Sequence, residues 1–343
     1  MGCMRREILT ATVAAAALAV SAAVGIGLEG VASAQATPSR AGTASPAATP
    51  TPTPTPSPTP TPTSSPKPKP KGGICTSATH PELAAKISAG IKAALADRKD
   101  SAVGLTADDP AEDLSCAFHR TVHFYAASVI KVTIISALLR KVHGPGGLTT
   151  AQRNLAHLMI TQSNNNAATA LWNDVGMTDM QSFLNKAGMR HTILSDAWGL
   201  TQITAQDELT LLHVLTKTNN VLGKSSRAYV LKLMAEVIPS ERWGVSAGAP
   251  SDVTVHLKNG WLPYPKAKDW HINSIGAFTG KHIGYQIVVL TGPATSAGQG
   301  ESYGIQTVQL ASDVINRILA RRQGATPSVA ARPSPAALHA PGG

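Results

Sequence analysis

Aromatic side chains are scarce in this sequence: four phenylalanines, five tyrosines and five tryptophans make up only 4% of its 343 residues. A nucleic-acid binder needs stacking surfaces or a recognisable binding motif. Neither is present, so nucleic acid is excluded as a partner. The histidines are scattered without a His-Glu-x-x-His spacing, and no cysteine pair stands at metal-ligand distance. No metal site and no cofactor are therefore expected. Cysteine itself is rare, with three in all. Cys3 precedes an apolar run, so it is not the lipid-bearing cysteine that follows a lipoprotein signal. Cys75 and Cys116 remain, and in an exported chain they form a disulfide or stay as two buried thiols. Acidic residues are also in deficit, 20 against 30 lysines and arginines, for a net charge of +10. Such a charge suits an anionic environment such as a bacterial wall or membrane surface.

Much of the chain has too little apolar surface to build a core. Residues 1–34 read as a secretory signal peptide: Arg5 and Arg6, an Ala/Val-rich run from Ile8 to Leu28, then Ala32-Ser33-Ala34. The expected location is therefore secreted, extracellular or wall-associated, with an uncleaved membrane anchor as the alternative. Residues 35–73 form a Pro/Thr-rich linker, Thr-Pro from Thr49 to Thr63 and Lys-Pro from Lys67 to Lys71, which favours extended polyproline geometry. Residues 324–343 are an Ala/Pro/Gly-rich tail expected to be disordered. Residues 74–323, about 250 in number, suffice for one well-buried domain.

Within that domain, Leu83, Ile87, Ile91 and Leu95 recur near the helical period, predicting a helix over Pro81–Asp100. Ser101–Thr106 and Leu114–Val122 read as strands around the turn Asp108-Asp109-Pro110. A helical block spans Thr150–Met234, broken at Gly176, Gly188 and Gly199. Strands return at Val253–Asn259, Ile272–Thr279 and Tyr285–Thr291, and a last helix covers Ile305–Arg322. The order predicts a mixed α/β (α+β) domain: an antiparallel five-stranded sheet, flanked by the N- and C-terminal helices, with an inserted all-helical lobe.

The apolar run from Ala126 to Leu139 carries Ser128 and Lys131. On a helix, residues three apart share a face, so hydroxyl and amine would meet. A lysine deprived of water loses affinity for protons and can take the proton of a serine hydroxyl. The spacing alone is common: Ser64 and Lys67 repeat it inside the linker. On a strand the two would face opposite ways. Two later clusters add partners. In Ile160–Ala168, a surface-loop composition, Ser163 is placed to relay a proton and Asn165 to hold a substrate amide. In Val255–Trp261, Lys258 and Asn259 end a strand where they would face an anionic group. Gly260 permits close backbone approach, and the Trp261 N–H would point into the site. An Asn-Gly hairpin turn is the alternative reading there.

Ser128-x-x-Lys131, Ser163-x-Asn165 and Lys258-x-Gly260, in this order, resemble the serine β-lactamase and penicillin-binding protein superfamily. The contexts Phe124-x-x-Ala127-Ser128 and Met159-Ile160-Thr161-x-Ser163 are similar to class A β-lactamases, and the resemblance covers residues 76–322. It implies Ser128 as nucleophile, Lys131 as its base, Ser163 as proton shuttle and Lys258 as the carboxylate anchor. The N–H groups of Ser128 and Trp261 would form the oxyanion hole. The implied substrate is a small-molecule β-lactam or a peptidoglycan peptide, handled by a monomer, with a D,D-carboxypeptidase or a catalytically weak wall-binding relative as alternatives.

Three features depart from that family. No glutamate lies between Asn165 and Asp207 to activate the deacylating water, and Asp196 is the nearest substitute. The interval from Lys131 to Ser163 is short. Asn259 stands where a hydroxyl residue is usual. Gly244-Val245-Ser246-Ala247-Gly248 matches a nucleophile elbow but lacks the strand before and the helix after. Arg242, just ahead of it, is expected in a surface ion pair, with contact to an anionic substrate as the alternative.

Overall fold

The computed structural model describes residues 73–263, 270–281, 283–294 and 300–322. The expected signal peptide, the linker up to residue 72 and the tail lie outside these residues. The elements are β1 (Cys75–Thr76), α1 (Pro81–Leu95), β2 (Ser101–Asp109), β3 (Leu114–Phe118), β4 (His123–Tyr125), α2 (Ile130–Lys141), α3 (Thr150–Thr161), α4 (Asn165–Ala187), β5 (Gln202–Thr204), α5 (Ala205–Thr216), α6 (Lys224–Ala235), β6 (Thr254–Pro263), β7 (Trp270–Gly280), β8 (Ile283–Ala294) and α7 (Gly300–Arg322). The main sheet runs β1-β3-β2-β8-β7-β6, antiparallel throughout.

This is the expected mixed architecture, with two differences. The sheet has a sixth strand, the two-residue β1, too short to show a pattern of its own. Register places Cys75 opposite Cys116, and the two form a disulfide that fastens β1 to β3. The strand expected over Leu114–Val122 is interrupted at His119, whose φ of 44° leaves the extended region. The chain then re-enters as β4, which pairs with β5 in a separate small sheet.

Two cores lie on opposite faces of the main sheet, because successive residues of a strand point to opposite sides. On β8, Val288 and Leu290 join the core built on α2–α6, while Ile287 and Val289 join the core under α1 and α7. Helix α2 is buried from Ile130 through Leu139. An all-round apolar helix belongs inside the lobe rather than on its surface. The break expected at Gly176 is a kink within α4, with φ 76° and ψ 157°; Gly188 caps that helix in the left-handed region.

Candidate active site

Ser128 sits in a single 3-10 turn, Ala127–Val129, that leads directly into α2. Lys131 is in the first turn of α2, and its Nζ lies 2.8 Å from Ser128 Oγ. The i, i+3 reading therefore holds, although the α-helix proper begins two residues after the serine. Lys131 Nζ also donates to the Ser163 carbonyl at 2.6 Å and to Asn165 Oδ1 at 2.8 Å, and lies 3.3 Å from Ser163 Oγ. Lys258, on edge strand β6, donates to Ser163 Oγ at 2.9 Å and to its neighbour's carbonyl, Asn259 O, at 2.8 Å. One serine hydroxyl thus stands between two buried lysines.

Local backbone explains how Ser163 reaches that place. Thr149 and Gln152 form a capping box that starts α3, and the Asn164 side chain caps α4 by accepting from Ala167 N. The connection between the helices is only Gln162–Asn164, and Ser163 makes the reversal with φ 55°. Ala127, just before Ser128, has φ 48°. Non-glycine residues in this region carry strain of order 1–3 kcal/mol each, held by surrounding structure and common at functional sites.

Two residues of the sheet fix the Ser128 turn. Asn273 on β7 donates through Nδ2 to Tyr125 O at 2.7 Å and to Ala126 O at 3.2 Å. Gly260 on β6 lies so close that an added Cβ would be 2.8 Å from both Ser128 N and Val129 N and 2.9 Å from Ala126 O. The expected close approach at Gly260 is realised, against the N-terminal turn of the serine helix. Trp261 follows on the same edge strand, its ring packed edge-on against Trp243.

Burial first, and the charge of Lys258 second, push the Lys131 amine down to about 6, against the pull of Glu241. Burial likewise lowers Lys258 to about 8, again opposed by Glu241. Burial raises the Glu241 carboxyl, and Lys258 and Lys131 oppose that rise. A serine next to an amine that is neutral near pH 7 is a pair suited to nucleophilic attack.

Several expected residues fall elsewhere. Asn259 does not face the cleft. It is 1% exposed; its Nδ2 donates to Glu241 O and Trp243 O, and its Oδ1 accepts from Ser274 Oγ. Strand alternation gives the reason: Lys258 and Asn259 are adjacent on β6 and cannot both present side chains to one face. Asp196 is exposed, and among the described residues no hydrogen bond ties it to Ser128 or Lys131. The residue that the segment brings to the site is Trp198, whose ring centroid is 5.0 Å from Lys131 Nζ. The indole Nε1–H is held by Thr169 Oγ1 at 3.1 Å. Arg242 forms no ion pair among the described residues: its guanidinium donates to the carbonyls of Ala235 and Val255. Gly244–Ser246 is a 3-10 turn packed on the sheet, as its flanks implied.

Glu241 and Trp198 are the site residues that sequence reading missed. Glu241 lay in the flank of the false nucleophile elbow, and Trp198 lay two residues beyond Asp196.

A family model described as the β-lactamase enzyme family matches residues 143–318, just over half of the chain. That segment holds Ser163, Asn165 and Lys258 and begins after Lys131. No curated protein matches in sequence. Among solved structures, a representative class A β-lactamase from Bacteroides cellulosilyticus DSM 14838 superposes with TM-score 0.59 at 18% identity, over 70% of this chain and 99% of that one. A β-lactamase from Streptosporangium roseum gives 0.57 at 18%, over 70% and 99%. PBP-A gives 0.58 at 17%, over 68% and 96%. At these identities the likeness establishes the fold, and the sequence match establishes kinship: the chain belongs to the β-lactamase enzyme family and is a β-lactamase-like serine hydrolase with the class A-like fold.

Proposed function

We propose that this protein is an exported serine acyl-enzyme hydrolase, acting as a monomer, that opens a β-lactam or related amide through Ser128. The observation that carries the reading is the geometry around Lys131 Nζ. The Ser163 carbonyl and Asn165 Oδ1 are acceptors only, and they lie 2.6 and 2.8 Å away. A neutral amine gives them its two hydrogens, which leaves the lone pair for the Ser128 hydroxyl at 2.8 Å. Lys131 then takes the proton of Ser128 as Oγ bonds to the acyl carbon. The C–N bond breaks, and the leaving nitrogen receives a proton through Ser163, whose hydroxyl touches both lysines. The N–H groups of Ser128 and Trp261, brought together by the close approach at Gly260, are the proposed donors to the oxyanion. Asn165, exposed at the cleft, retains its amide N–H groups for a substrate carbonyl.

Water must then release the acyl group. The Lys131 ring contact at Trp198 and the exposed position of Asp196 leave no carboxylate from that segment to activate it. This favours the second reading, a peptidoglycan-acting D,D-peptidase that acylates β-lactams but turns them over poorly. One PBP-A variant that shares the fold is an acyl-enzyme complex with penicillin-G. Intact-protein mass spectrometry after mixing with a penicillin tests the proposal: a covalent adduct should form and persist, and should vanish in Ser128→Ala. An adduct that survives that substitution refutes the assignment of Ser128.

A further inference from the structure

Trp198 lies against the Lys131 amine, and its place there is fixed from two directions. The ring centroid is 5.0 Å from Lys131 Nζ. On one side the indole Nε1–H donates to Thr169 Oγ1 at 3.1 Å. Thr169 is one turn beyond Asn165 on α4, so the residue that holds the amine and the residue that holds the ring share a helix face. On the other side, the 3-10 turn Trp198–Leu200 runs into Thr201, whose carbonyl accepts from Ala126 N at 2.8 Å. Ala126 leads directly into the Ser128 turn.

Water has no room between ring and amine. A water bonded to Nζ at about 2.8 Å and touching the ring face at about 3.5 Å needs roughly 6 Å between nitrogen and ring. Only 5.0 Å is there. The other approaches are filled by Ser128 Oγ, the Ser163 carbonyl and Asn165 Oδ1, all within 2.8 Å, and Lys131 is 0% exposed. Such a base can take the Ser128 proton, but it cannot take one directly from water.

The Ser163 side differs. There one hydroxyl touches both lysines, and a departing amine vacates the space beside it. A water entering that space gives a proton to Ser163 as the Ser163 proton passes to the neutral Lys131 amine. The water oxygen bonds to the acyl carbon, the bond to Ser128 Oγ breaks, and Oγ takes the proton from Lys131. In a β-lactam the broken C–N bond belongs to a ring. The leaving nitrogen therefore stays attached to the acyl group and keeps that space filled.

We propose that Trp198 is a specificity-determining residue that closes the Lys131 face of the acyl-enzyme to water, so that linear amides and esters are turned over while cyclic ones are held. The inference rests on the acyl-enzyme reading of Ser128.

The test compares penicillin G with N-phenylacetylglycyl thioglycolate, a linear thioester that carries the same phenylacetylamino group and loses its leaving group. Adducts are formed at pH 7.5, free compound is removed, and their decay is followed by intact-protein mass after rapid quenching. In the wild type the penicillin adduct should decay about 100-fold or more slower than the thioester adduct. Trp198→Ala admits water to the amine and should reduce that ratio about tenfold, an effect lost in acid as the amine gains a proton. Trp198→Phe keeps a ring over the amine and should hold the ratio within about threefold of the wild type. Equal decay of the two wild-type adducts, a ratio unmoved in Trp198→Ala, or one equally reduced in Trp198→Phe overturns the inference. If neither compound modifies Ser128, the acyl-enzyme reading fails by itself. The shield is then read without substrate, from reductive methylation with formaldehyde and a borane, located by peptide mass. Lys131 should stay unmethylated in the wild type and in Trp198→Phe, and react in Trp198→Ala. A Lys131 that is methylated as readily in the wild type as in Trp198→Ala, or in neither, overturns the inference on this measurement too.

Discussion

Modification of Ser128 should have an acid limb set by Lys131, and that limb should move when Lys258 loses its charge. An amine held at about 6 is roughly 90% neutral at pH 7, whereas one titrating at 10.5 would be neutral in about 0.03% of molecules. The fold thus supplies roughly three thousand times more free base. Below pH 6 the rate should drop about tenfold per pH unit, since the protonated amine cannot accept the Ser128 proton. Both lysine nitrogens lie within 3.3 Å of Ser163 Oγ, so they are roughly 6 Å apart at most. At an effective dielectric near 20, two unit charges at that distance repel by about 2–3 kcal/mol, or roughly two pH units. Lys258→Met should therefore move the acid limb from about 6 towards about 8. It should not reach 10.5, because burial is the larger cause of the depression. A small neutral fluorophosphonate is a suitable probe, its attachment to Ser128 followed by mass between pH 4 and 9. A limb near pH 10 in the wild type, or one that stays in place in Lys258→Met, would refute Lys131 as the base.

Three further perturbations have defined outcomes. Gly260→Ala would place a Cβ 2.8 Å from two backbone nitrogens and 2.9 Å from a carbonyl oxygen, none on a flexible side chain. It should slow acylation at least about 100-fold and cost about 1–3 kcal/mol of stability, measured by mass labelling and urea unfolding. Asn273→Ala releases the carbonyls of Tyr125 and Ala126, so it should lower stability by about 1–3 kcal/mol in the same unfolding assay. Cys75→Ser with Cys116→Ser opens a loop with a sequence separation of 41. The chain-entropy account sets the loss at about 4 kcal/mol, read as a lower thermal midpoint that matches the reduced wild type.

Features written in local spacing were legible from the sequence. Ser128 and Lys131 are three residues apart in an apolar run, and the backbone alone decides whether they meet. Gly260 was legible for a similar reason, because only a missing side chain allows two backbones to touch. Asn259 misled because a motif gives adjacency along the chain, while the pleat decides the face. Glu241 and Trp198 were invisible for a different cause. Their place at the site depends on the Ile238–Thr161 and Trp198–Thr169 hydrogen bonds, contacts between segments far apart in sequence. The strand broken at His119 followed from a positive φ that neighbouring β-formers concealed.

The enclosure of α2 carries a consequence for how the molecule breathes. Ten consecutive residues of that helix, Ile130 to Leu139, are hidden from solvent, and its entry turn is clasped by β6 and β7. Its amides can exchange with deuterium only when the lobe around them comes apart, so they belong to the slowest-exchanging unit of the protein. The nucleophile is thus carried on the part of the chain least able to fluctuate by itself. Whatever adapts to an incoming substrate must be the walls around Ser128, while the serine and its amine remain a fixed point until the whole domain melts.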